Sequence, residues 1–197
     1  PLAADGPARA LGDALATLHR VTAADFGWHC GNFIGATPQD NGAMGDWAAF
    51  FANRRLRPQL RRAAARSDCK RLCDRGERLA EVVPALFTDH RPQASLLHGD
   101  LWHGNAAQLT DGTPVLFDPA VYRGDREADL AMSELFGGFP EAFYAAYREA
   151  WPVAEGYETR KTLYNLYHVL NHLNLFGAGY LRQAERMVDR LLAEIRR

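Results

Sequence analysis

The sequence predicts a mainly α fold of the α+β class, a bundle of helices interrupted by one β-hairpin. Three observations carry this expectation. Apolar residues recur at three- and four-residue spacing near the start of the chain, between residues 68 and 87, and throughout the part after residue 125. Two short extended runs flank Thr110-Asp111-Gly112-Thr113, where Asp-Gly suits a tight turn with positive φ. With 197 residues and 47% hydrophobic content, the chain can bury a sizeable core.

In chain order, Leu11, Leu15 and Leu18 define one face of an amphipathic helix from Ala8 to Arg20. Val21 to Gly45 holds five Gly and one Pro with no sustained period, which reads as an ordered loop rather than helix or strand. Asp46 can cap a helix through Phe51, and Arg54 to Ala65 continues as a basic helix with Pro58 near its start. Ser67 and Asp68 offer a new N-cap to a helix reaching Phe87, bent or ended by Pro84. Leu96 to His98 reads as a short buried strand, followed by the hairpin of Ala106–Leu109 and Pro114–Phe117. Everything beyond is helical in pattern: Asp125 to Phe136, Phe139-Pro140 to Trp151, Glu158 to Phe176 and Tyr180 to Arg196, the last two joined across Gly177-Ala178-Gly179.

Composition removes several function classes. The net charge is −1, and the abundant Arg are interleaved with acids, so no uniform basic face is offered to nucleic acid. No run of about 18 apolar residues is present, which excludes an ordinary transmembrane helix. Cys30, Cys69 and Cys73 form no disulfide framework and point to a reducing, cytoplasmic setting. Neither a P-loop nor a G-x-S-x-G elbow occurs, and Ser67-x-x-Lys70 lacks the companion motifs of a penicillin-binding site. His168 and His172 have zinc-compatible spacing without the Glu of H-E-x-x-H, so packing or substrate hydrogen bonds fit them better.

The chemistry concentrates in LLHGDLWHGNAAQLTDGTPVLFDP, residues 96–119. Asp100 and Asn105 are separated by four residues, the gap found between the Asp and Asn of a protein-kinase catalytic loop, and Asp118 leaves the second hairpin strand. A carboxylate on such a loop can take the proton of an attacking hydroxyl, while an amide oxygen and a second carboxylate can bind Mg²⁺ on nucleotide phosphates. A hairpin with a two-residue turn would bring Asn105 and Asp118 back together. Trp102 can set an aromatic face against a sugar or amine, and His98 reads as a brace for the loop.

HGDLWHGN, FDPAVYRGDREADLAMSELFGGFPEAFYAAY, LHRVTAADFGWHCGNFIGATPQDNG and DWAAFFANRRLRPQL together resemble the fructosamine (ketosamine) kinase family, relatives of aminoglycoside and choline kinases. The resemblance covers nearly the whole chain. It implies a protein-kinase-like fold in which residues 1–197 match the helical C-terminal lobe, and ATP-dependent phosphorylation of a sugar hydroxyl on a ketoamine. It implies Asp100 as base, Asn105 and Asp118 as Mg²⁺ ligands, Trp102 and His103 at the substrate, and His98 with Asp129 supporting the loop. An aminoglycoside- or choline-kinase-like activity and a non-catalytic binding module stay open beside it.

A kinase site also needs a Gly-rich cover and a strand Lys paired to a helix Glu. No G-x-G-x-x-G occurs here, and Lys70 and Lys161 both lie in helical patterns. With Pro rather than Met first, the chain reads as part of something longer that lacks the N-terminal, ATP-gripping lobe. The expectations are weak activity alone and an apolar face near the first helix and the 26–34 loop, open to self-association or docking of that lobe.

Overall fold

The computed structural model describes residues 5–195. It is helix-rich with small sheets. Helix α1 (Asp5–His19) lays Ala8, Leu11 and Leu15 on Phe143 and Tyr147 of α6 (Glu141–Ala150), one of two apolar clusters. The larger cluster is built on α7 (Tyr157–Phe176), whose Leu163, Leu166, Val169, Leu170 and Leu173 are buried. Against it pack α5 (Glu127–Leu135) and α8 (Leu181–Glu194), the latter through Ala184, Val188 and Leu191.

The expected loop from 21 to 45 contains strands. β1 (Thr22–Ala23) pairs with β4 (Ala94–Leu97), and β2 (Asn32–Ile34) pairs with β3 (Thr37–Gln39) across a turn at Gly35, φ 57°. These strands are two to four residues long, too short for alternation to register in the sequence. The all-helical reading after Asp118 also needs correcting, because β7 (Tyr122–Gly124) completes a three-stranded antiparallel sheet in the order β1-β4-β7.

Asp46 caps α2 (Trp47–Phe50) by accepting from the Ala49 N–H at 2.7 Å. A π-helical stretch, Phe51–Leu56, then leads directly into α3 (Arg57–Ala63). Pro58 explains that stretch: it has no N–H to give, and the freed Arg54 carbonyl accepts from Arg55 Nη1 at 3.0 Å instead. A 3₁₀ turn (Ser67–Cys69) opens α4 (Lys70–Val82), which ends in a second 3₁₀ turn over Val83–Phe87, at Pro84.

The central hairpin is present as β5 (Ala106–Gln108) and β6 (Pro114–Leu116). Its connection is longer than two residues. The Leu109 N–H donates to Thr113 O, Gly112 N–H to Leu109 O, and Asp111 accepts from the Thr113 N–H, with Gly112 at φ 91°. Of the expected apolar face near α1, Phe26 and Ile34 are buried, whereas Phe33 is 61% exposed. Among the described residues no helix is long and apolar enough to cross a membrane.

Candidate active site

The loop carrying Asp100 leaves the end of β4, the middle strand of the sheet. It turns at Gly99, φ 81°, where a Cβ would meet Ala120 O at 2.1 Å, so only glycine lets residues 98–100 and 120 pass this closely. Asp129, on α5, holds the turn from below. Its Oδ2 accepts from the His98 N–H at 2.7 Å and its Oδ1 from the Gly99 N–H at 2.8 Å.

His19 Nε2 lies 3.1 Å from Asp129 Oδ2, with His19 Nδ1 2.7 Å from the Tyr147 hydroxyl. Burial by itself would raise the Asp129 carboxyl. The His19 hydrogen bond, the imidazoles of His19 and His98 nearby and the Gly99 amide outweigh it and hold the carboxyl below its ordinary value. Sequence reasoning missed His19; it stands 110 residues from Asp129 with no local pattern to mark the pair.

His98 is buried between two backbone groups, Nε2 2.9 Å from Phe117 O and Nδ1 3.3 Å from the Asp100 N–H. This assigns the tautomer with the proton on Nε2 and makes His98 a tie between the Asp100 loop and the end of the hairpin. Asn105, in a 3₁₀ turn over His103–Asn105, donates from Nδ2 to Asp100 O at 2.9 Å and Asp100 Oδ2 at 3.3 Å. Burial pushes the Asp100 carboxyl up, outweighing the nearby imidazoles of His98 and His172 and the Asn105 hydrogen bond that oppose it.

The Phe117 N–H donates to Asn105 O at 3.1 Å, so the chain reaches Asp118 one residue beyond a bond to Asn105. Asp118 is exposed, has no hydrogen-bond or ion-pair partner among the described residues, and is the one non-glycine there with positive φ, 52°. The donor atoms suit Mg²⁺. With the Asn105 nitrogen engaged by Asp100, the amide presents oxygen as its remaining ligand atom, and Asp118 supplies a free carboxylate.

Asp100 lines a cavity of about 330 Å³ together with Trp102, Phe136, His168, Asn171 and His172. The Trp102 ring is edge-on to Phe136, centroids 6.3 Å apart, and lies across Gly104, where a Cβ would come within 2.3 Å of it. His103 is exposed and does not line this cavity. On the opposite wall, burial lowers the His168 pKa to about 3, which keeps the imidazole neutral.

A second polar cluster has metal-ligand composition but is already satisfied. His90, Asp125 and Glu127 offer ligand atoms within 4.8 Å of one another. Glu127 is forked by Arg160 at 2.7 and 3.1 Å and accepts from the Ala154 N–H, while Asp125 accepts from Tyr164 and meets His90, both at 2.6 Å. It joins α5 to α7 as a buried ion-pair network.

The sequence profile of the family described as Fructosamine kinase matches residues 2–194. A probable ketoamine kinase of Synechocystis sp. is 52% identical over 186 residues, covering 92% of this chain and 61% of that protein. A chloroplastic protein-ribulosamine 3-kinase of Oryza sativa subsp. indica is 43% identical, covering 93% of this chain and 54% of its own length. The crystal structure of a candidate fructosamine-3-kinase from Thermobifida fusca superposes with a TM-score of 0.88 at 36% identity, over 96% of this chain and 66% of that one. The chain thus spans about three fifths of the length of the curated bacterial relatives it matches. With the profile matched from residue 2 to residue 194, this chain belongs to the fructosamine kinase family.

Proposed function

We propose that residues 1–197 form the kinase-like C-terminal lobe of an ATP-dependent phosphotransferase, carrying the acceptor and metal side of a site that phosphorylates a sugar hydroxyl on a ketoamine. The observation that supports this most is the placement of Asp100. It sits on a loop fixed by Asp129, bonded to Asn105, and opens onto a cavity walled by aromatic rings and imidazoles. The names of the relatives agree with this reading.

Asp100 is the base that takes the proton of the attacking hydroxyl, and its raised pKa makes it a better acceptor than an exposed carboxylate. Asn105 and Asp118 would hold Mg²⁺, which when bound neutralises charge on the nucleotide phosphates. Trp102 packs on the sugar or amine, exposed His103, its ring 5.0 Å from that of Trp102, would meet only a part of the acceptor that extends outside the cavity, and neutral His168 can both donate to and accept from a hydroxyl. His98 and Asp129 position the loop without touching substrate.

No Gly-rich phosphate loop or strand lysine occurs within residues 1–197, and positioning plus phosphate electrostatics supply most of the catalysis in phosphoryl transfer. The test is Mg·ATP turnover on a fructosyl amine. Residues 1–197 alone should turn over weakly, and Asp100→Ala should remove what activity there is. Activity that survives Asp100→Ala would refute the assignment of the base.

A further inference from the structure

Beside the Asp100 cavity lies a second one, of about 300 Å³, between α7, α8 and the end of α5. The two adjoin. Lys161, Asn165, His168 and His172 follow one another at spacings of four, three and four, a single stripe of α7 whose first two members line the second cavity and last two the first. Consecutive residues of α5 and its end divide in the same way, Leu135 to the second cavity and Phe136 to the first.

The walls of the second cavity are cationic, with no carboxylate among them. Lys161 is offset by ion pairs to Glu134 and Glu158. Arg186 and Arg190, one turn apart on α8, are exposed and have no ion-pair or hydrogen-bond partner among the described residues. Asn165 lines the same cavity at only 7% exposure. Its Oδ1 is buried and unpaired and its nitrogen is equally unused, so the amide keeps an N–H₂ group to give. The groove is thus lined by two unpaired guanidinium groups and the unused amide nitrogen of Asn165.

We infer that this groove is an anion subsite of the acceptor site, which takes the carboxylate of an amino-acid ketoamine whose sugar hydroxyl lies at Asp100. The inference rests on the kinase reading above. Guanidinium forks match carboxylates in shape and charge. An amino-acid ketoamine is long enough to reach from one cavity into the other. Asn165 stands roughly 10 Å along the helix axis from His172 and roughly 5 Å from His168. A ketose joined through C1 to the side-chain amine of free lysine puts about ten bonds, roughly 12 Å extended, between the hydroxyl oxygen next to the keto carbon and the α-carboxylate carbon. Linkage to an α-amine leaves only about six bonds, roughly 7 Å.

The experiment compares equilibrium binding of side-chain-linked ketosyl-lysine and of its α-carboxamide to the protein and to the double variant Arg186→Gln, Arg190→Gln. Both positions are exposed, so the melting temperature should hold. The free acid should bind about tenfold more tightly than the amide to the unsubstituted protein. In the double variant that preference should vanish, and added salt should shrink it beforehand. Equal binding of acid and amide, or a preference that persists in the double variant, overturns the subsite and leaves the kinase reading standing. Failure to bind either compound overturns the kinase reading and the subsite with it.

Discussion

Asp129 accepts from the backbone N–H of His98 at 2.7 Å, a contact between α5 and the exit of β4 that sets the direction in which the Asp100 loop leaves the sheet. The same carboxylate takes the Gly99 N–H and faces His19, so three donors meet one buried acid. An amide in its place would turn an NH₂ toward at least one of those donors. Asp129→Asn is expected to cost about 3 kcal/mol, as hydrogen bonds to a charged acceptor are lost. At this chain length that lowers the melting temperature by roughly 6–12 °C, which thermal denaturation measures.

His168 makes folding stability pH-dependent between its folded and its ordinary pKa. Its folded pKa is about 3 against an ordinary 6.5, so below 6.5 the unfolded chain binds a proton that the folded chain refuses. Stability present above pH 6.5 is therefore lost as pH falls toward 3, by up to about 1.4 kcal/mol per unit. Asp129, also held low, begins to contribute only below about 3.9. Between pH 6.5 and 4, His168→Asn should flatten the stability profile; denaturant titrations across that range that show the same slope in both proteins would contradict this assignment.

What the sequence made legible followed from contiguity. The helices of α1, α4, α7 and α8 announce themselves because each buries a long stripe, and Asp100, Asn105 and the hairpin were readable because they lie within one 24-residue stretch. Contacts across the chain were not. β7 is a strand only because Leu96 finds Arg123, and the far wall of the cavity, His168 and His172, is some seventy residues from Asp100. The π-helical stretch before Pro58 is hidden for another reason: a proline near a helix start signals a lost hydrogen bond, not that the bonds ahead of it reach five residues back instead of four.

Gln39 ties the hairpin of β2 and β3 to the segment after Asp118. Its Nε2 donates to Ala120 O at 3.1 Å and Asn32 Oδ1 at 2.9 Å, and its Oε1 accepts from the Tyr167 hydroxyl at 2.7 Å, all in a buried setting. Gln39→Leu keeps the volume and strands Ala120 O and the Tyr167 hydroxyl, for an expected loss of about 2–4 kcal/mol. Gln39→Glu, which still accepts from Tyr167 but cannot donate to Ala120, should also destabilise, and chemical denaturation of both variants checks the order.

Asp118 separates fold from function most sharply. Its φ of 52° is a conformation that a non-glycine side chain resists by about 1 kcal/mol or more, and no hydrogen bond or ion pair among the described residues compensates it. A strained, exposed and unpartnered carboxylate contributes nothing to stability that would explain its presence, which is what a metal ligand kept for chemistry should look like. Asp118→Gly should therefore leave the melting temperature unchanged or raise it by a few degrees, while reducing Mn²⁺ affinity, read by electron paramagnetic resonance, and phosphoryl transfer by about a hundredfold or more. Asp118→Asn, which keeps one oxygen but loses the charge, should fall between. A glycine variant that is clearly less stable, or that binds Mn²⁺ as the unsubstituted protein does, would place Asp118 in the structure rather than in the chemistry.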